Sequence, residues 1–179
     1  SHDLPAIMEN ITRRAHQVCR ARTTVLRLVE PDEKTFSASV SLGLYAEQFQ
    51  ADSIQLGEGI TGSILVSGKA EIIPDALKDP RGAHVEGTPE KEEQPETMMV
   101  APLVVRGKAV GGLTLYRWAA EGQFTQVDLD FLSGLARQAA IAIENVRLLE
   151  KAHHARLEAE AATQAKSAFL AMMSHEIRT

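Results

Sequence analysis

At 179 residues, 44% of them hydrophobic, the chain can build one domain of ordinary size plus an appendage. A net charge of -5 with scattered basic residues argues against a nucleic-acid or anionic-membrane surface. The single cysteine, Cys19, excludes a disulfide framework and points to a reducing, cytoplasmic setting; no apolar run approaches the roughly twenty residues of a membrane span, and no signal peptide opens the sequence.

Leu4, Ile7, Met8, Ile11, Ala15, Val18 and Cys19 share one face of a helix predicted over 4–20. The β-branched run 23–30 and the alternation over 35–43, with Phe36, Ala38, Val40 and Leu42 on one side, predict two strands. They join as a hairpin across Pro31-Asp32-Glu33-Lys34. A short helix is expected over 45–51. Residues 56–62 then enter a helix of about two turns that stops at Gly68-Lys69. Glu71-Ile72-Ile73-Pro74-Asp75 reads as a brief edge segment limited by its proline. Residues 79–96 are rich in Pro, Gly and acid and lack periodicity, the mark of a lid, a binding loop or disorder. Strands over 98–106 and 109–118, turned at Arg106-Gly107-Lys108, complete a second hairpin. The predicted class is α+β: an antiparallel sheet flanked by helices, with its two terminal helices packed together on one face.

The last predicted element is a coiled-coil-forming helix over 125–179. Thr125 is placed to N-cap it, with Asp128 three residues on and Phe124 and Leu129 at the staple positions. Leu132, Ala139 and Val146, with Leu135, Ala142 and Leu149, recur at the seven-residue spacing of a dimer seam. Around His153 and Arg156 the apolar series lapses, resuming at Leu157 and Ala161 out of phase, a stutter that suits a transmission element. His153 and His154 point about 100° apart on a helix, so they share no metal, and no metal site is expected. Further on, Leu170, Met173 and Ile177 fall on one face and His175 almost opposite. Packing of the stripe would hold the imidazole in solvent, where its neutral form is a nucleophile. The adjacent Glu176 can orient the ring or take its second proton.

Gly57, Gly59 and Gly62 spell Gly-x-Gly-x-x-Gly, but the segment before them is no buried strand and the helix after them is too short for a dinucleotide fold. They read as a turn that starts a short helix. With Ile73-Pro74-Asp75, Asp79-Pro80-Arg81, Ala101-Pro102-Leu103, the run 110–115 (VGGLTL) and Phe124-Thr125-x-x-Asp128, they make residues 4–150 resemble the GAF family of sensory domains. That resemblance implies a small-ligand pocket between the sheet and the middle segment, under the loop holding Asp75, Arg81 and His84. Cyclic-nucleotide-binding members carry Asn-Lys ahead of Phe-x-x-x-Asp-Glu. Here Leu129 follows Asp128 and Tyr116-Arg117 stands near that place, which argues against a cyclic nucleotide. Sulfoxide reductases of this fold need several cysteines, and this chain has one.

The run 169–179 (FLAMMSHEIRT) resembles the H-box of sensor histidine kinases. The resemblance implies that His175 is the phosphoacceptor, that Glu176 assists phosphoryl transfer, and that Thr179 positions water for dephosphorylation. It implies a homodimer through the terminal helices, a response-regulator receiver domain as partner, and ATP with Mg²⁺ in a kinase module whose motifs are not in this sequence. No cofactor is expected in the chain itself, nor autophosphorylation by it alone. The expected layout is a GAF sensory domain at 3–149, a signalling helix at 150–165 and the start of the phosphoacceptor helix at 166–179. The alternative is a GAF domain that binds nothing and serves as a dimerisation and relay spacer.

Overall fold

The computed structural model describes residues 3–89 and 94–178. Its elements run α1 (Leu4–Val18), β1 (Thr23–Val29), β2 (Thr35–Gly43), α2 (Ala46–Ala51), β3 (Ser53–Gln55), α3 (Gly59–Ser67), β4 (Glu71–Ile73), β5 (Glu96–Val105) and β6 (Lys108–Trp118), then a single 3₁₀ turn (Ala119–Glu121) and α4 (Gln126–Arg178). The six strands form one sheet in the order β3-β2-β1-β6-β5-β4, every neighbouring pair antiparallel. Two sequence-local hairpins, β1–β2 and β5–β6, are thus fused through the central β1–β6 pair, where Thr23 faces Tyr116 and Val25 faces Thr114. The expected α+β architecture is the one formed. The edge strand β3 is added to it, too short at three residues to show alternation in the sequence.

Side-chain alternation gives the sheet two unlike faces. On one, Met98 and Val100 of β5 and Ile73 of β4 close a buried cluster with Ile60 and Ile64 of α3, and Tyr116 packs against it. On the other lie the buried Leu26, Met99, Ala101, Leu103, Leu113 and Leu115. Helix α1 is tied to this second face by a 2.9 Å bond between His16 Nδ1 and Thr24 Oγ1. Arg117 points to the same side, donates to the Cys19 carbonyl at the end of α1, and lies 4.3 Å from the centroid of the Phe124 ring just ahead of α4.

The glycine-rich turn is a steric requirement. A Cβ on Gly62 would fall 2.5 Å from the Gln55 carbonyl oxygen, and the turn closes through Gly57 N donating to Gly62 O at 3.0 Å. The nine residues of α3 begin within it, at Gly59.

Helix α4 begins as its sequence requires: Thr125 N donates to Asp128 Oδ2 at 2.8 Å, and Asp128 N to Thr125 Oγ1 at 3.3 Å, a reciprocal cap. The helix is continuous through 153–157, where the seven-residue pattern lapses. The chain forms two compact units, Ser1–Ala142 and Ile143–Thr179. Part of the expected dimer seam falls within the first of them. Leu132, Leu135 and Ala139 are buried in the core of their own domain, so they are spent before any partner arrives. A stripe at helical period packs into its own domain's core as readily as it zips to a second helix. In the second unit, Leu148, Leu149, Leu157, Phe169, Leu170, Met172, Met173 and Ile177 are exposed.

Candidate functional site

The first sheet face carries an unusual amount of charge for an interior. Arg27 interrupts the apolar strand β1 and its side chain is only 4% exposed. A buried guanidinium needs partners, and both come from Asp52 at the end of α2: Arg27 Nη1 donates to the Asp52 carbonyl and Nη2 to its Oδ2, each at 2.8 Å. A second pair, Arg22 with Glu96, stands at the end of the same sheet, with the Arg22 guanidinium 3.8 Å from the centroid of the Trp118 ring.

Tyr116 lies in the field of both pairs. Burial, and next the Glu96 carboxylate, push its hydroxyl well above the usual phenol range; Asp52 adds to the shift, while Arg27 and Arg22 oppose it. Its ring meets Phe49 of α2 at 5.2 Å between centroids. Thr61 of α3 and Thr114 of β6 bring their hydroxyls within 3.3 Å of each other. Among the described residues, Arg22 Nε and Nη1, Ser41 Oγ and, on the opposite face, Arg117 Nε are buried without a hydrogen-bond partner. The sequence reading passes over this cluster, although a lone arginine inside TTVLRLV is the signal that finds it.

Beside it opens a cleft of about 340 Å³ lined by Glu47, Gln48, Ala51, Asp52 and Glu86. Asp52 therefore has two roles, as counter-ion to Arg27 and as part of the cleft wall.

The residues expected to meet a ligand stand elsewhere. Asp75 accepts from Leu77 N at 3.1 Å and stands 3.6 Å from Lys78 Nζ, folding its own turn. Arg81 is divided between two acids: it donates to Glu71 at 2.7 and 3.2 Å and to Asp79 at 2.9 and 3.0 Å. These bonds raise its already high pKa and hold the Asp79 carboxyl below the usual range. His84 is exposed. None of the three is among the cleft's lining residues.

At the far end of α4, His175 and Glu176 are exposed on the helix, as are Leu170, Met173 and Ile177. Thr179 lies outside the described residues. Among the described residues no group of three or more His, Cys, Asp or Glu is placed to hold a metal ion, and no helix is long and apolar enough to cross a membrane.

A six-stranded antiparallel sheet with a charged inner face under short helices, followed by one long helix, defines an α+β domain. The family model of the GAF domain matches residues 1–144, and the chain belongs to that family. It is similar to the GAF domain from a phosphoenolpyruvate-protein phosphotransferase of Coxiella burnetii, with a TM-score of 0.72 and 18% identity over 83% of this chain and 86% of that one, a likeness of fold. It is 36% identical over 96 residues to hybrid signal transduction histidine kinase G of Dictyostelium discoideum, a stretch covering 50% of this chain and 3% of the kinase. It is also 25% identical over 162 residues to nitrogen fixation protein VnfA of Azotobacter vinelandii, covering 89% of this chain and 31% of that protein. The chain thus spans less than a third of the length of either relative.

Proposed function

We propose that the chain is the sensory part of a two-component sensor histidine kinase, in which the GAF domain (3–149) relays its state through a signalling helix (150–165) to a phosphoacceptor segment (166–179). His175 takes the phosphoryl group, Glu176 assists the transfer, and Thr179 positions water for its removal. The observation that carries this reading is the run Phe169 to Arg178 on an unbroken helix, with His175 exposed to a donor. The similarity to a histidine kinase supports it.

Phosphoryl transfer is chiefly a matter of positioning and charge stabilisation, so the acceptor needs access and a fixed orientation more than special reactivity. A rigid helix supplies the orientation. ATP and Mg²⁺ belong to a separate kinase module in this scheme. A homodimer uses the exposed apolar residues of α4 beyond Ile143, and a response-regulator receiver domain accepts the phosphoryl group from His175.

The test is phosphorylation of the full-length protein that contains this chain, with radiolabelled ATP and Mg²⁺. The expected label is acid-labile and disappears with His175→Gln; label that survives the substitution refutes the assignment.

A second reading, a GAF domain that binds nothing and acts as a dimerisation and relay spacer, is favoured by one observation. Arg81 is already committed to Glu71 and Asp79, and Asp75 to its own turn. Native mass spectrometry separates the two readings, since a retained small molecule excludes the empty spacer.

A further inference from the structure

Helix α4 has an outward face that its own domain leaves bare. Val127 is 76% and Ile141 61% exposed, while Leu132, Ala136 and Ala139 are buried. At about 100° per residue those three stand roughly 140–180° around the helix from Ile141, so the bare face looks away from the core. Gly134 lies midway between Val127 and Ile141, one seven-residue step from each. A glycine inside a helix carries a cost in chain entropy that alanine would not. Nothing in the domain demands it, since a Cβ there would meet only the end of the Arg137 side chain, at 3.9 Å. A missing Cβ that the chain's own fold does not use is what the close approach of another backbone requires.

The series Val127, Gly134, Ile141 runs on along the sequence as Leu148, Ala155, Ala162 and Phe169. It passes His153 without the change of phase that interrupts the series through Leu132 and Leu135. Asn145, four residues after Ile141 and exposed, takes the companion position of the same heptad. An amide brought into a seam is satisfied by the same amide of an identical helix lying parallel and in register, because donor then meets acceptor. Charges along the edge of the series alternate in sign, as Asp130, Arg137, Glu144 and Lys151, so a second copy meets no single-sign field.

We propose that the face of α4 marked by Val127, Gly134 and Ile141 is the docking surface for a second copy of this chain, its α4 parallel and in register. Dimer contact then begins on the sensory domain and not only past Ile143. Identical residues meet across a two-fold axis, and Gly134 lets the two backbones close on each other. The inference rests on the reading of α4 as a dimeric relay, to which it adds the surface and the register.

Cysteine cross-linking of the full chain tests the register, with the wild type as background because its own Cys19 is buried. Val127→Cys and Ile141→Cys are each expected to give a disulfide-linked dimer on oxidation with diamide. Arg147→Cys, exposed but about 120° around the helix from Ile141, is expected to give none. Sedimentation of the reduced chain tests the surface. Ile141→Glu and Gly134→Leu are each expected to raise the dimer dissociation constant about ten-fold or more, the scale of a central interface residue. Gly134→Leu is the safer of the two for the fold, because the added side chain starts in open space. The urea midpoint of the dilute protein is expected not to fall in either variant. A monomer at every concentration, a dimer that neither substitution weakens, or cross-linking at Arg147→Cys equal to that at Ile141→Cys overturns the proposal. None of these measurements involves phosphorylation, so a failure of the kinase reading shows separately, in the loss of label dependence on His175.

Discussion

Leu132 separates a helix that belongs to its own domain from one that waits for a partner. Its side chain is 0% exposed, whereas Leu149, a member of the same seven-residue pattern, is 48% exposed. Truncating a fully buried leucine to alanine removes its transfer free energy and leaves a cavity, together about 2–5 kcal/mol. For a unit of this size each kcal/mol lowers the melting temperature by about 2–4 °C, so Leu132→Ala is expected to lose on the order of 10 °C. Leu149→Ala removes no core contact, and its expected effect on domain stability is within about 0.5 kcal/mol. Urea denaturation followed at two protein concentrations a hundred-fold apart distinguishes the roles, because stability that comes from association depends on concentration and stability that comes from a domain core does not. Leu132→Ala should shift the midpoint equally at both concentrations. A loss that appears only in the concentrated sample would show that Leu132 contacts a second chain and that its burial within its own domain is mistaken.

Two further outcomes follow from buried titratable groups. Burial, with a further push from Asp128 that Arg117 partly offsets, raises the Cys19 thiol to about 11, so at pH 8 it should resist a thiol reagent in the folded protein and react promptly in urea. Equal labelling rates in the two states would contradict its burial. His16 is held below its ordinary 6.5 by desolvation. The unfolded ring therefore takes its proton first as pH falls, so this contribution to stability is complete above about 6.5 and drains away below it. His16→Gln should flatten the stability profile on the acid side of neutrality, and a slope identical to the wild type's would remove His16 as its source.

Local chemistry fixes much of this protein in its sequence. Alternation over 35–43, the turn residues Pro31 to Lys34, the cap pair Thr125 and Asp128 and the short-helix start at Gly57 to Gly62 each concern groups a few residues apart. Their outcome is set by steric exclusion and nearby hydrogen bonds. The resemblance of residues 169–179 to an H-box is likewise carried by a contiguous run. The partner of Arg27, by contrast, is Asp52, and that of Arg22 is Glu96, 74 residues away. Composition records that such charges exist but not which will meet, because Arg22–Glu96 depends on the β1–β6 register that fuses the two hairpins, and Arg27–Asp52 on α2 lying against β1 and β2. The same holds for Arg81, whose clamp on Glu71 requires β4 to lie at the sheet edge. The seven-residue pattern of α4 shows the division most plainly. Periodicity specifies an apolar stripe, and only the tertiary arrangement decides what covers it. Through Leu132, Leu135 and Ala139 the chain's own fold already excludes water from that stripe, so no second helix is needed there; past Ile143 the stripe stays open to solvent.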